Sequence, residues 1–180
     1  HQFVVSFSFS ASIFAIYSVA TFQVPLVRIW YSSIADVILV KMTEFRRSNE
    51  TQKILTLWLN SVAKLFVVFL PIFIFLFVFA EEFIITLFTR SYITAVPVFR
   101  IFLFTLLLYS INCHSVLRSY AETRFIFNVN LITLFANTGL LWALVKTLGI
   151  WGAAFSTVIV GVFSNILMLW KIAKLLNVRF

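Results

Sequence analysis

The sequence predicts an all-α protein, a polytopic bundle of transmembrane helices, and three observations predict it. Of its 180 residues, 62% are hydrophobic and only 11% are charged. The mean hydropathy of +1.06 reflects more apolar surface than a soluble domain of this length can hide, so lipid is the solvent for most of the chain. The apolar stretches between polar clusters reach the roughly 20 residues that a helix needs to cross a bilayer. Strands of a membrane barrel need only about 10 residues and alternate in polarity, which these stretches do not.

Taken in order, Gln2–Phe14 is apolar but about 20 Å long as a helix, too short to cross alone. It reads as a truncated first span (residues 1–14), with a turn expected at Ala15–Ser18. Residues 19–40 form the first complete span, with Pro25 kinking its beginning. "KMTEFRRSNETQK" (Lys41–Lys53) is a basic loop, and Asn49 followed by Gln52 resembles a capping box for the next helix. That helix is the span 54–80, kinked at Pro71. "EEFIITLFTRSY" (Glu81–Tyr92) has charged ends and a short apolar middle, which suits an interfacial turn or helix. Spans 93–117, 126–145 and 151–170 follow, separated by "RSYAETR" and by the tight "KTLGIWG" turn. The expectation is one bundle over residues 1–180, five complete spans preceded by a partial one.

Charge placement orients the bundle. If the Lys41–Lys53 loop is cytoplasmic, so are Arg118–Arg124 and the tail. That side then holds Lys41, Arg46, Arg47, Lys53, Arg118, Arg124, Lys171, Lys174 and Arg179, nine of the 14 basic residues, against Arg90 and Lys146 opposite. This is the positive-inside pattern, and it accounts for the net charge of +8 without nucleic acid. The C-terminus is thus expected in the cytoplasm. Trp58 and Trp170 near one boundary and Trp142 and Trp151 near the other fit interfacial belts.

Catalysis finds no support. The single cysteine, Cys113, beside His114, has no second cluster to complete a metal site. No Gly-rich phosphate loop, nucleophile elbow or HExxH motif occurs. No cofactor and no metal are expected, and the chain is read as no enzyme.

The residues that demand a function are the charges inside spans: Arg28, Lys64 and Arg100, with Asp36 and Ser32 beside Arg28. Lys64 lies about 16 Å along its helix from Lys53, near the bilayer middle. Each such charge costs about 2.5–3.5 kcal/mol to insert, and one carboxylate cannot offset three cations. Asp36 is about 12 Å along the axis from Arg28, too far to pair with it. A hydrated, electropositive cavity that receives an anion resolves the conflict. The plainer reading has these side chains partnered by another part of the protein, or reaching to headgroups, and Asp36, close to the helix end, fits an interfacial residue.

Three stretches carry a family resemblance. "AIYSVATFQVPLV" (Ala15–Val27) resembles the opening of the second bundle of bacterial polysaccharide flippases, and "EEFIITLFTRSYITAVPVFRIFLF" (Glu81–Phe104) resembles their outer connection. "LGIWGAAFSTVI" (Leu148–Ile159) resembles their turn before the last span. In order and spacing the chain resembles the O-antigen and lipid-linked oligosaccharide flippases of the multidrug/oligosaccharidyl-lipid/polysaccharide exporter superfamily.

The resemblance implies the second half of a two-bundle transporter, facing an N-terminal half across a cavity in the bacterial inner membrane. It implies translocation of undecaprenyl-pyrophosphate-linked oligosaccharide by alternating access, with a coupling cation, for surface polysaccharide synthesis. Arg100 matches the arginine of its "FRI" context, and Arg28 and Lys64 fall on cavity-facing helices. Thr89 departs from the family, which often has glycine there, so a turn needing positive φ would be strained. A cation-coupled multidrug antiporter is the alternative within the superfamily, but it calls for acidic residues and only Asp36 is offered. A fragment of a membrane-embedded glycan polymerase is the alternative outside it, and it calls for a large outer loop that is not seen.

Overall fold

The computed structural model describes residues 11–22 and 25–177. Most of the expected partial span 1–14, and Arg179, lie outside them. The described helices are α1 (Ala11–Ala20), α2 (Pro25–Arg47), α3 (Thr51–Val78), α4 (Ala80–Phe88), α5 (Val96–Tyr109), α6 (Cys113–Ser119), α7 (Thr123–Leu148) and α8 (Ile150–Leu176), with a 3₁₀ turn at Arg90–Ala95. No strand occurs among the described residues. The chain is an all-helical polytopic bundle.

Among the described residues, four stretches are long and apolar enough to cross a membrane: Thr51–Val78, Arg90–Ser119, Thr123–Leu148 and Ile150–Leu176. Five complete spans were expected. The difference is α2, which at 23 residues has the length but carries Arg28, Asp36, Lys41, Glu44, Arg46 and Arg47.

Three local expectations are corrected. Ala15–Ser18 is helical; the chain leaves the helix at Thr21, whose Oγ1 donates to the Tyr17 carbonyl at 3.0 Å. Pro25 lies in the first described turn of α2 and leaves no kink within a longer helix, because the chain is already out of the preceding helix at Thr21 and Phe22. Asn49 does not cap α3. It takes φ +56° and closes α2, so that the Glu50 N–H donates to the Phe45 carbonyl at 2.9 Å. Pro71 lies within α3, and the helix passes it without interruption.

Thr89, at the end of α4, has φ +105° and ψ +161°. That region suits glycine and strains a β-branched residue, as the family resemblance implied.

The interior is built in tiers. Tyr17, Ala20, Ala80, Ile84, Val98, Phe99, Leu141, Ala153 and Ala154 pack one end of the bundle. Met42, Ile54, Trp58, Val116, Leu117, Val129, Met168 and Ile172 pack the other. Between them the buried core thins to Leu65, Phe69 and Leu106.

Antiparallel α7 and α8 are locked by glycines. Gly149 takes φ +59° in the turn, and a Cβ on Gly152 would lie 2.9 Å from Leu144 Cβ and against that residue's carbonyl. A Cβ on Gly161 would lie 2.9 Å from Leu108 Cδ1 of α5.

The basic loops are gathered at one end of the bundle. Arg46 at the end of α2 stacks over the Tyr120 ring at 4.7 Å. Lys171 of α8 pairs with Glu122 at 2.9 Å and lies over the Phe125 ring at 5.3 Å.

Candidate functional site

A cavity of about 500 Å³ opens between α2, α3 and α5 beside the thin middle tier. Val27, Leu76, Phe99, Phe102, Leu103 and Leu106 give it apolar walls. Polar groups enter from Arg28, Tyr31 and Ser32 on α2 and from Thr105 and Tyr109 on α5. On α2 the helical repeat sets Tyr31, Ala35, Ile38 and Met42 toward the bundle. It leaves Arg28, Ser32 and Asp36 on an adjoining exposed stripe.

Of the five residues picked from the sequence, the cavity brings together Arg28 and Ser32. Arg28 makes no ion pair or hydrogen bond among the described residues, so none of them compensates its charge. Ser32 Oγ donates to the Ile29 carbonyl at 3.0 Å, as does Ser33 Oγ, so both hydroxyls are satisfied by their own helix while keeping lone pairs to accept from a guest.

Asp36 lies on the same stripe as Arg28, beyond the cavity lining, exposed and without an ion pair among the described residues. Lys64 is exposed on α3, one side of the Trp58–Ser61–Leu65 face that packs into the bundle, and does not line the cavity.

Arg100 has a local partner. Its Nε donates to the Phe77 carbonyl at 3.0 Å, and its guanidinium lies 5.7 Å from the Phe77 ring centroid. Phe77 is the penultimate residue of α3, where carbonyls lack helical donors and carry the negative end of the macrodipole. A guanidinium there satisfies both.

Sequence reasoning missed the floor of the cavity. Tyr31 and Tyr109 line it with ring centroids 5.6 Å apart. Tyr31 OH donates to Asn112 Oδ1 at 3.3 Å, and Ser115 Oγ donates to the same oxygen at 2.7 Å. Asn112 sits where Arg90–Ser119, one apolar stretch, breaks into α5 and α6. The polar run "SINCHS" (Ser110–Ser115) inside the expected span 93–117 was the signal available.

Against this geometry, the model of the family described as lipid II flippase MurJ matches residues 2–180. The chain belongs to the lipid II flippase MurJ family. No curated protein and no solved structure matches it. MurJ-family membership agrees with the flippase reading of the sequence at the level of a lipid-linked precursor flippase, and goes no further toward O-antigen. It is a family of transporters, and the chain is not an enzyme. With four apolar crossing helices, this MurJ-family chain is a multi-pass membrane protein.

Proposed function

We propose that the chain forms the second half of an inner-membrane flippase. Its cargo is a glycan precursor carried on a polyprenyl pyrophosphate, and its mechanism is alternating access. One observation carries the reading: Arg28, without a counter-charge among the described residues, stands in the wall of a largely apolar cavity, with Ser32 one turn away. A pyrophosphate supplies the missing counter-charge, and Arg28 meets it with forked N–H donors. The apolar walls suit the carrier lipid next to that headgroup.

The exposed α2 stripe of Arg28, Ser32 and Asp36 faces an N-terminal half across the transport path. Lys64 raises the positive potential along the approach. A coupling cation fits the absence of any ATP-binding motif. The gathered basic loops and the C-terminus are assigned to the cytoplasmic side.

The family's own description points to lipid II as cargo, whereas the oligosaccharide-flippase likeness of the sequence points to a lipid-linked oligosaccharide. Complementation separates them. The intact gene is expressed in cells depleted of their lipid II flippase, and separately in cells lacking an O-antigen flippase. Rescue of one strain assigns the cargo. Arg28→Ala should abolish that rescue at unchanged protein level, and full rescue by Arg28→Ala would overturn the anionic-cavity reading. The antiporter alternative lacks an acidic cavity: no aspartate or glutamate lines it among the described residues.

A further inference from the structure

The break between α5 and α6 is held by residues that also shape the cavity. Asn112 has φ +47° and ψ +40°, a left-handed conformation that asparagine tolerates better than most residues. The helix ends in a tightened turn, with Ser110 and Ile111 N–H groups donating to the Leu107 and Leu108 carbonyls at 3.2 and 3.4 Å. Trp58 Nε1 of α3 donates to the Ile111 carbonyl at 2.9 Å. Tyr31 of α2 donates to Asn112, and Ser115 Oγ lies 3.4 Å from the Ala35 carbonyl. Two buried polar atoms at the break, Ser110 Oγ and Asn112 Nδ2, have no partner among the described residues.

A span broken at a residue 2% exposed, with part of its polar complement unpaired, calls for a reason beyond packing. The tethers supply one. Two neighbouring helices, α2 and α3, converge on Ile111, Asn112 and Ser115, and one of the groups involved, Tyr31, is cavity wall beside Tyr109.

We propose that Asn112 is the positioning residue of this cavity. It holds α6 as a separate arm against α2, with Tyr31 latched to it, and a swing of that arm about Ser110–Asn112 opens the Arg28 cavity toward the Lys41–Lys53 end. The proposal rests on the transport reading for its purpose, but its test does not depend on transport.

Cys113, the next residue, is the chain's single cysteine and is 2% exposed. Release of the arm uncovers it. The experiment measures the rate at which N-ethylmaleimide labels Cys113 in the intact protein in liposomes, in a background where it is the sole thiol. Tyr31→Phe and Asn112→Gly each delete the latch, and glycine keeps the left-handed backbone available. Each should accelerate labelling about threefold, the size of one average interhelical hydrogen bond in a membrane. The double variant should label no faster than Asn112→Gly alone, because that change already removes the bond that Tyr31→Phe removes.

Ser156→Ala deletes a buried hydroxyl on α8 that bonds the Ala153 carbonyl, and serves as the remote control. Unchanged labelling in both latch variants overturns the proposal. So does acceleration that Ser156→Ala reproduces, or that appears only with a lowered melting midpoint. If labelling responds as expected while Arg28→Ala still rescues growth, the hinge stands and the cargo assignment falls.

Discussion

Gly152 offers the most decisive measurement on the fold. A methyl placed on it would meet the Leu144 carbonyl carbon at 2.5 Å and the Leu144 Cβ at 2.9 Å. Ordinary contact begins near 3.4 Å, so α8 must back away from α7 by about 1 Å at that point. The obstacle is backbone and cannot rotate aside. Overpacking of this kind costs about 1–3 kcal/mol, here at the upper end. Alanine recovers about 1 kcal/mol of helix propensity, leaving Gly152→Ala about 2 kcal/mol less stable.

Gly139, on the same hairpin, supplies the comparison. Nothing lies within 4 Å of its would-be Cβ, so Gly139→Ala should be neutral or more stable by up to about 1 kcal/mol. The assay is reversible unfolding of the intact protein in mixed micelles by a denaturing detergent, both variants against wild type. The gap should be about 3 kcal/mol. Equal stabilities for the two variants would refute the reasoning, since they share chemistry and differ only in what the new methyl touches.

Arg100→Met should lower stability by about 1–2 kcal/mol, the value of a charge-assisted hydrogen bond discounted for partial exposure, and Arg100→Lys should restore part of it; a stable Arg100→Met protein that transports nothing would return Arg100 to the substrate path. Thr89→Gly should stabilise the α4 connection by about 1 kcal/mol by relieving the φ +105° backbone, and an unchanged melting midpoint would count against strain there. The Glu44 carboxyl is held below its usual range, first by the Lys41 hydrogen bond at 2.8 Å and then by that charge. Its contribution is therefore present above the unfolded-state pKa and fades as pH falls through the lowered folded one. Titration of Glu44 by NMR should move upward in Lys41→Met, and an unmoved titration would exclude the pair.

What the sequence could and could not convey follows from range. α3, α7 and α8 were legible because a long apolar stretch has one low-energy form in lipid, a helix that satisfies its own backbone. α7 and α8 run past their expected limits at both ends, since helix continues where water begins, whereas α3 starts early, at Thr51, and stops at Val78, short of the expected 80. The break at Ser110–Asn112 was not legible as a break. Its polar run is local, but the groups that hold it open, Trp58 and Tyr31, come from 53 and 81 residues away in the chain. The same reason hid the role of Arg100, whose partner carbonyl belongs to the preceding long helix. Arg28 could be singled out because a cation in an apolar run is itself anomalous, and no tertiary contact was needed to notice it; the structure puts it on the cavity wall.

The α7–α8 hairpin has one more consequence. At 26 residues, α7 is about 39 Å long against a hydrocarbon core of about 30 Å, and only 6% of its most apolar stretch is buried. Its apolar stretch, residues 126–145, is about 30 Å long and matches that core, so the polar ends of the helix stand in the headgroup region. With so little of itself buried, α7 depends on its packing along α8, and the bare backbone of Gly152 sets how near the two can come. A side chain at that one position would loosen the helix that has fewest other holds on the bundle.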